Sequence, residues 1–262
     1  MKERQHMKSD FWLMAPFNTL FCITFTFFLL LLAGLSILLK NKDDHTKRVI
    51  LSVVCMITFI GFFVYKYYLS IDAEYNLLTA DREGFNWWNE LPLHLCNINM
   101  MLIPVAVLSK NRPLMNFCFF VAPLGAMMAL AMPTAGFSGY SLLLPRMLGF
   151  YGTHFMIVIE GLAIVTFGLY RPEFRDLPGT FLAAVGLTFM VFLFDTLLRF
   201  TGIYTRANYF YTYETEGNVL LNLFHSWIPV PFLYLIPCLA ILGAYMFLIM
   251  SFFKIGGTRR RK

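Results

Sequence analysis

Long apolar runs separated by short polar loops set the pattern of this chain. Seven runs are close to the ~20 helical residues that cross a hydrocarbon core of ~30 Å. They cover Pro16 to Leu39, Val49 to Leu69, Leu91 to Leu108, Leu114 to Met132, Met147 to Tyr170, Gly179 to Leu198 and Pro229 to Phe253. The third is the short one. Proline and glycine punctuate the ends, at Arg112-Pro113, Met132-Pro133, Arg171-Pro172, Pro178-Gly179 and Val230-Pro231. No repeat, low-complexity tract or linker interrupts the series. The pattern predicts an all-α fold, a polytopic membrane helix bundle of about seven transmembrane helices, and a single integral membrane domain over residues 1–262. The first run lacks a small-residue cleavage site, so it reads as a retained helix and not as a signal peptide.

The loops carry the orientation signal. Lys40, Lys42, Lys47 and Arg48 lie between runs one and two, Lys110 and Arg112 between three and four, and Arg171 and Arg175 between five and six. Lys254 and the basic stretch 259–262 follow run seven. The other side holds Arg82, Arg146, Arg199 and Arg206. The positive-inside rule then puts the N-terminus outside and the C-terminus inside, with Lys2, Arg4 and Lys8 pulling the other way. The loop after run two is acidic (Asp72, Glu74, Asp81, Glu83) and holds Trp87-Trp88, an aromatic pair suited to headgroup level.

Composition agrees. Residues are 58% hydrophobic, 18% aromatic and only 14% charged, where a soluble domain carries roughly 25% charged residues. The net charge of +6 is spread over loops and ends, which suits anionic lipid headgroups and not nucleic acid, whose binding calls for a concentrated basic stripe. Cys22, Cys55, Cys96, Cys118 and Cys238 are scattered without a CxxC or a close pair, which argues against a disulfide framework or a zinc knuckle.

Against this apolar frame the stretch Glu90 to Asn97 stands out, with an acid, an imidazole, a thiol and a carboxamide in eight residues. Polar groups at a membrane span are expensive and mark function by default. With Asn89 as N-cap and Pro92 in the first turn, a helix from there places Cys96 ~8 Å inside at 1.5 Å per residue. His154 falls ~10 Å inside the fifth run on the same rise. Asp195, near the end of the sixth, and Asn208, Tyr209, Glu214, Glu216 and His225 in the loop beyond it belong to the same side. On a helix Glu90, His94 and Asn97 share a stripe, and Cys96, two residues from His94, faces elsewhere. His154 is therefore the better base for a Cys96 nucleophile, with Asp195, Glu90 or Tyr209 as possible orienters.

Plainer readings stand beside these. The other four cysteines read as small buried hydrophobes. Asp195 and Arg199 are spaced for an i, i+4 salt bridge. Glu160 suits interhelical hydrogen bonding, and Lys66 suits snorkelling to the headgroups. Glu90, His94, His154 and His225 offer metal-ligand atoms but no HxxxH or HExxH spacing, so no metal and no cofactor is expected. Phosphate-cradling glycine loops, GxSxG elbows and dinucleotide fingerprints do not occur.

The segment Leu91-Pro92-Leu93-His94-Leu95-Cys96 resembles the signature of the YwaF-like bacterial integral membrane proteins, relatives of the eukaryotic transmembrane protein 164 family. Tyr151-Gly152-Thr153-His154 and Ala207-Asn208-Tyr209-Phe210-Tyr211 look similar too, in the same order. The resemblance covers most of the chain. It implies a multi-helix membrane fold and, from the eukaryotic branch, a cysteine-dependent acyltransferase that moves fatty acyl chains between phospholipids. Cys96 and His154 are the positions that match that branch's active pair.

The expectation is a cell-membrane, multi-pass enzyme acting on phospholipid acyl esters, as acyltransferase or lipid hydrolase, through Cys96 and His154. Glu90, His94, Asn97, Asp195, Asn208 and Tyr209 would support the site or bind substrate, with Asn97, Asn208 or Tyr209 as oxyanion donors. The bilayer and its phospholipids are the expected partners. The rival reading is a small-solute or proton-coupled transporter or binding protein whose buried His, Glu and Asp line a pathway without covalent chemistry.

Overall fold

A computed structural model describes residues 12–80, 84–134 and 136–259, with side chains as far as Lys254. Lys2, Arg4, Lys8, Asp81, Arg82, Glu83 and residues 260–262 lie outside the described residues.

Nine α-helices are described: α1 (Thr19–Leu39), α2 (Asp44–Ser70), α3 (Ala73–Leu78), α4 (Asn99–Leu108), α5 (Arg112–Ala131), α6 (Pro145–Thr166), α7 (Leu177–Phe200), α8 (Val219–Trp227) and α9 (Ile236–Arg259). Among the described residues, six stretches are long and apolar enough to cross a membrane: α1, α2, α5, α6, α7 with the turn before it, and α9 with the turn before it. The chain is an all-α polytopic membrane protein. A two-residue strand pair, β1 (Leu13–Met14) with β2 (Tyr140–Ser141), ties the stretch before α1 to the one before α6, with Leu13 opposite Ser141.

Local chemistry starts these helices where expected. Asn18, Asp43, Asn111 and Asn218 accept backbone N–H groups as N-caps of α1, α2, α5 and α8, satisfying donors the first turn leaves free. Prolines occupy the first turns of α5, α6 and α7, where a missing N–H costs little.

The core forms around α6, which packs on α1, α2, α4 and α5. Helices in lipid associate by close packing, so small residues mark the contacts. A Cβ on Gly149 would lie 2.3 Å from Tyr65 Cβ on α2, and one on Gly161 would lie 2.7 Å from Pro123 Cδ on α5. Neither position admits a side chain without pushing a helix away. The outer faces are different. Phe27, Leu30, Ile37 and Leu38 on α1 and Leu182 and Met190 on α7 stay exposed, as lipid contact requires. Cys22 is exposed as well, unlike the buried hydrophobe expected, while Cys55 and Cys118 are buried.

The third apolar run departs from expectation. A helix from the Asn89 cap is not formed: residues 91–98 are a chain of turns, and the helix begins at Asn99 and lasts ten residues. The shared stripe of Glu90, His94 and Asn97 therefore does not exist, and the depth reckoned from a helical rise does not apply. Irregular backbone at membrane depth survives only when protein satisfies it. Tyr209 supplies that from a loop over a hundred residues away. Its hydroxyl donates to Trp88 O at 2.5 Å and accepts from Leu91 N at 3.1 Å. Within the segment, Ile98 N donates to His94 O and Asn99 Nδ2 to Leu95 O.

Candidate active site

The site is built where the irregular run 91–98 meets α6. Cys96 Sγ lies 3.5 Å from His154 Nε2. Both residues are buried, 9% and 4% exposed. The second ring nitrogen, Nδ1, is 2.7 Å from the carbonyl oxygen of Phe150, one turn back on α6. A carbonyl can only accept, so Nδ1 carries the proton and Nε2 presents a lone pair to the Cys96 thiol. This is the tautomer a general base needs, and no carboxylate is used to set it. The Phe150 ring also lies against the imidazole at a tilt of 44°, with ring centroids 4.5 Å apart.

The backbone of α5 comes close behind the cysteine. A Cβ on Gly125 would meet Cys96 N at 3.5 Å and Cys96 Cα at 3.6 Å. Asn97 turns its side chain back, with Oδ1 3.7 Å from Sγ. Leu95 is exposed on the bundle surface, so the reactive pair lies one residue from the protein's exterior.

The other expected residues sort into supports of different kinds. Glu90 is buried and bonded to Lys66 Nζ of α2 and to Asn89 Nδ2. Lys66 therefore does not snorkel. Its side chain is 9% exposed, and its ammonium lies 4.8 Å from the Tyr65 ring centroid and 5.2 Å from that of Phe62. Removing one partner of a buried ion pair strands the other, at about 3–5 kcal/mol. His94 does not face Sγ; it sits edge-on to Tyr209 at 5.1 Å between centroids. The single hydroxyl hydrogen of Tyr209 is committed to Trp88 O.

Asn208 and Asp195 hold the loop that delivers Tyr209. Asn208 Nδ2 donates to Glu214 O and Glu216 Oε1, and its Oδ1 accepts from Tyr213 N and Glu214 N. All of its amide hydrogens are engaged there. Asp195 accepts from Thr212 Oγ1 at 2.5 Å. It makes no ion pair with Arg199, which bonds to Ala207 O and Glu214 instead. Between these anchors Phe210 and Tyr211 adopt φ of 58°, a left-handed conformation costly for bulky residues and kept only where the surroundings over-determine it.

One ion cluster caps this end. Arg146 of α6, 1% exposed, bonds to Asp72 and Glu74 at 2.7 Å each. Partial burial pushes the Asp72 carboxyl up, but the Tyr75 N–H and the Arg146 guanidinium outweigh it and hold it below the ordinary aspartate value. His225 stays apart, edge-on to Tyr234. No group of three His, Cys, Asp or Glu side chains suited to a metal occurs among the described residues.

Sequence comparison places this arrangement in a family. The family model described as the TMEM164 family matches residues 8–251. The chain belongs to the TMEM164 family. The match runs from before α1 into α9 and includes both halves of the Cys96–His154 pair, so the pair lies within the part of the chain that the TMEM164 family shares. No curated protein and no solved structure gives a significant match.

The sequence alone missed three contributors. Lys66 was hidden because its partner lies across a loop. Gly149 looks like an ordinary helical glycine until α2 is in place. The Phe150 carbonyl had a visible signal, because an imidazole on a helix can reach the carbonyl four residues back.

Proposed function

We infer that this TMEM164-family protein is a membrane-embedded, cysteine-dependent acyltransferase or lipid hydrolase acting on phospholipid acyl esters, with the cell membrane as its place of work. The observation that carries this reading is the Cys96–His154 contact with the imidazole lone pair aimed at the thiol. A buried cysteine with no role has no need of a base at 3.5 Å whose other nitrogen is already spoken for.

The chemistry follows from the groups present. His154 Nε2 takes the Cys96 proton as Sγ attacks the ester carbonyl carbon. The tetrahedral intermediate collapses, the carbon–oxygen bond to the glycerol breaks, and the leaving alkoxide takes the proton from His154. A lysolipid departs and an acyl-thioester remains on Cys96. An acceptor hydroxyl or water then gives its proton to Nε2 and attacks the thioester, and the thiol is restored. The Asn97 carboxamide lies beside Sγ and presents its acceptor oxygen there, so a turn of the amide would bring its Nδ2 to the oxyanion, whereas the hydrogens of Asn208 and Tyr209 are used elsewhere. Approach past the exposed Leu95 lets a lipid enter from the bilayer side.

The test is acyl exchange between phospholipids by the purified chain in vesicles. Cys96→Ser and Cys96→Ala are expected to abolish it. Unchanged exchange in both would sink the mechanism, and proton-coupled solute uptake by all three proteins would favour the transporter reading.

A further inference from the structure

The end of α2 touches both chemistry-bearing elements through two adjacent residues. Tyr65, 6% exposed, packs against α6 at Gly149, where a Cβ would overlap it at 2.3 Å. Gly149 lies five residues before His154. The next residue, Lys66, pairs with Glu90, six residues before Cys96, with its ammonium 4.8 Å from the Tyr65 ring centroid.

Segment 91–98 forms turns and not a regular helix, so its position depends on its anchors. Tyr209 holds Trp88 and Leu91 from the loop side. Lys66 holds Glu90 from the side of α2. A lysine on an apolar helix costs least when it reaches water. Here it is kept under cover, and the return for that cost is the placement of Glu90.

We propose that Lys66 is a positioning residue for the Cys96–His154 pair, its salt bridge with Glu90 and the Tyr65–Gly149 contact together forming a bracket on α2 that sets the sulfur–imidazole distance. This deepens the Cys–His reading and rests on it for its functional meaning, but its geometry can be read without any turnover.

The direct readout is the S–H stretching band of Cys96 in the full chain, assigned by infrared difference against Cys96→Ser. An S–H donating to Nε2 absorbs at lower frequency than a free thiol, so the band is expected to be displaced in the wild type and to relax in His154→Ala. Lys66→Met is expected to relax it as well, and Lys66→Arg to restore the displacement. A purely structural lysine would lower thermal stability in Lys66→Met and leave the band where it was; that result overturns the proposal. If Lys66→Met does not fold, Glu90→Gln, which keeps the side-chain shape but not the charge, is expected to relax the band partly, and an unmoved band there overturns the proposal equally. A displaced band that follows Lys66 in a protein showing no acyl exchange would remove the enzyme reading and leave the bracket standing.

Discussion

Two polar clusters sit at opposite ends of the helix bundle, and they differ in how completely their groups are used. At the end where α5 and α7 begin, Arg112 bonds to Glu173 and Asp176 at 2.9 Å and lies over the Tyr170 ring. Tyr170 donates to Asp176, Asn116 Nδ2 donates to Thr180 Oγ1, and Thr180 donates to Asp176 O. Nearly every donor there has found an acceptor, and the cluster joins α5, α7 and the chain between α6 and α7. At the other end His154 is satisfied on one nitrogen only, and the second faces a thiol. Satisfied networks fasten helices together. A lone pair aimed at an S–H is a weak contact for stability and a strong one for proton transfer. The same contrast separates the members of the site end itself, where Asn208, Tyr209 and Glu90 are consumed in holding the segment, while Cys96, His154 and Asn97 meet at the sulfur.

The contrast can be broken by substitution. The largest effect is expected for His154→Ala, which removes the base and leaves the fold-fastening clusters intact. Acyl exchange should fall by ~10²–10⁴-fold, the usual worth of a general base, while thermal unfolding changes little. If His154→Ala instead unfolds the protein and the folded remainder works normally, the imidazole belongs with the fastening groups. A smaller effect is expected at the other cluster. Asp176→Ala should cost about 1.5–3 kcal/mol, as for hydrogen bonds to a charged group, seen as earlier thermal unfolding, with acyl exchange per folded molecule unchanged. A selective loss of exchange in Asp176→Ala would mean that the two ends are not divided as described.

Much of the frame was legible in the sequence, because a bilayer imposes one requirement, long apolar helices, that six of the seven runs meet alone. The convergence of Cys96 and His154 was legible for a similar reason: each lies a short way along its run from the same side. The shape of the third run was not. Its proline and cap residue suit a helix start at Asn89, and only distant partners, Tyr209 and Lys66, make a chain of turns the better arrangement. Lys66 itself was misread because a lysine on an apolar helix is usually drawn to water, and nothing local announces a carboxylate beyond the next loop. Asp195 and Arg199 had the spacing of a salt bridge, yet Arg199 turns to Ala207 O and Glu214, partners supplied by the loop fold. Spacing along one helix is local information; these choices were made between elements.

The central claim is that Cys96 carries the acyl group. The purified chain, incubated in phospholipid vesicles and quenched, would be digested and the peptide bearing Cys96 weighed by mass spectrometry. A mass increase of one fatty acyl group on that peptide, released by hydroxylamine and absent from Cys96→Ala, is the predicted result. Acyl exchange that proceeds with no adduct on Cys96 at any time point, and persists in Cys96→Ala, would contradict it.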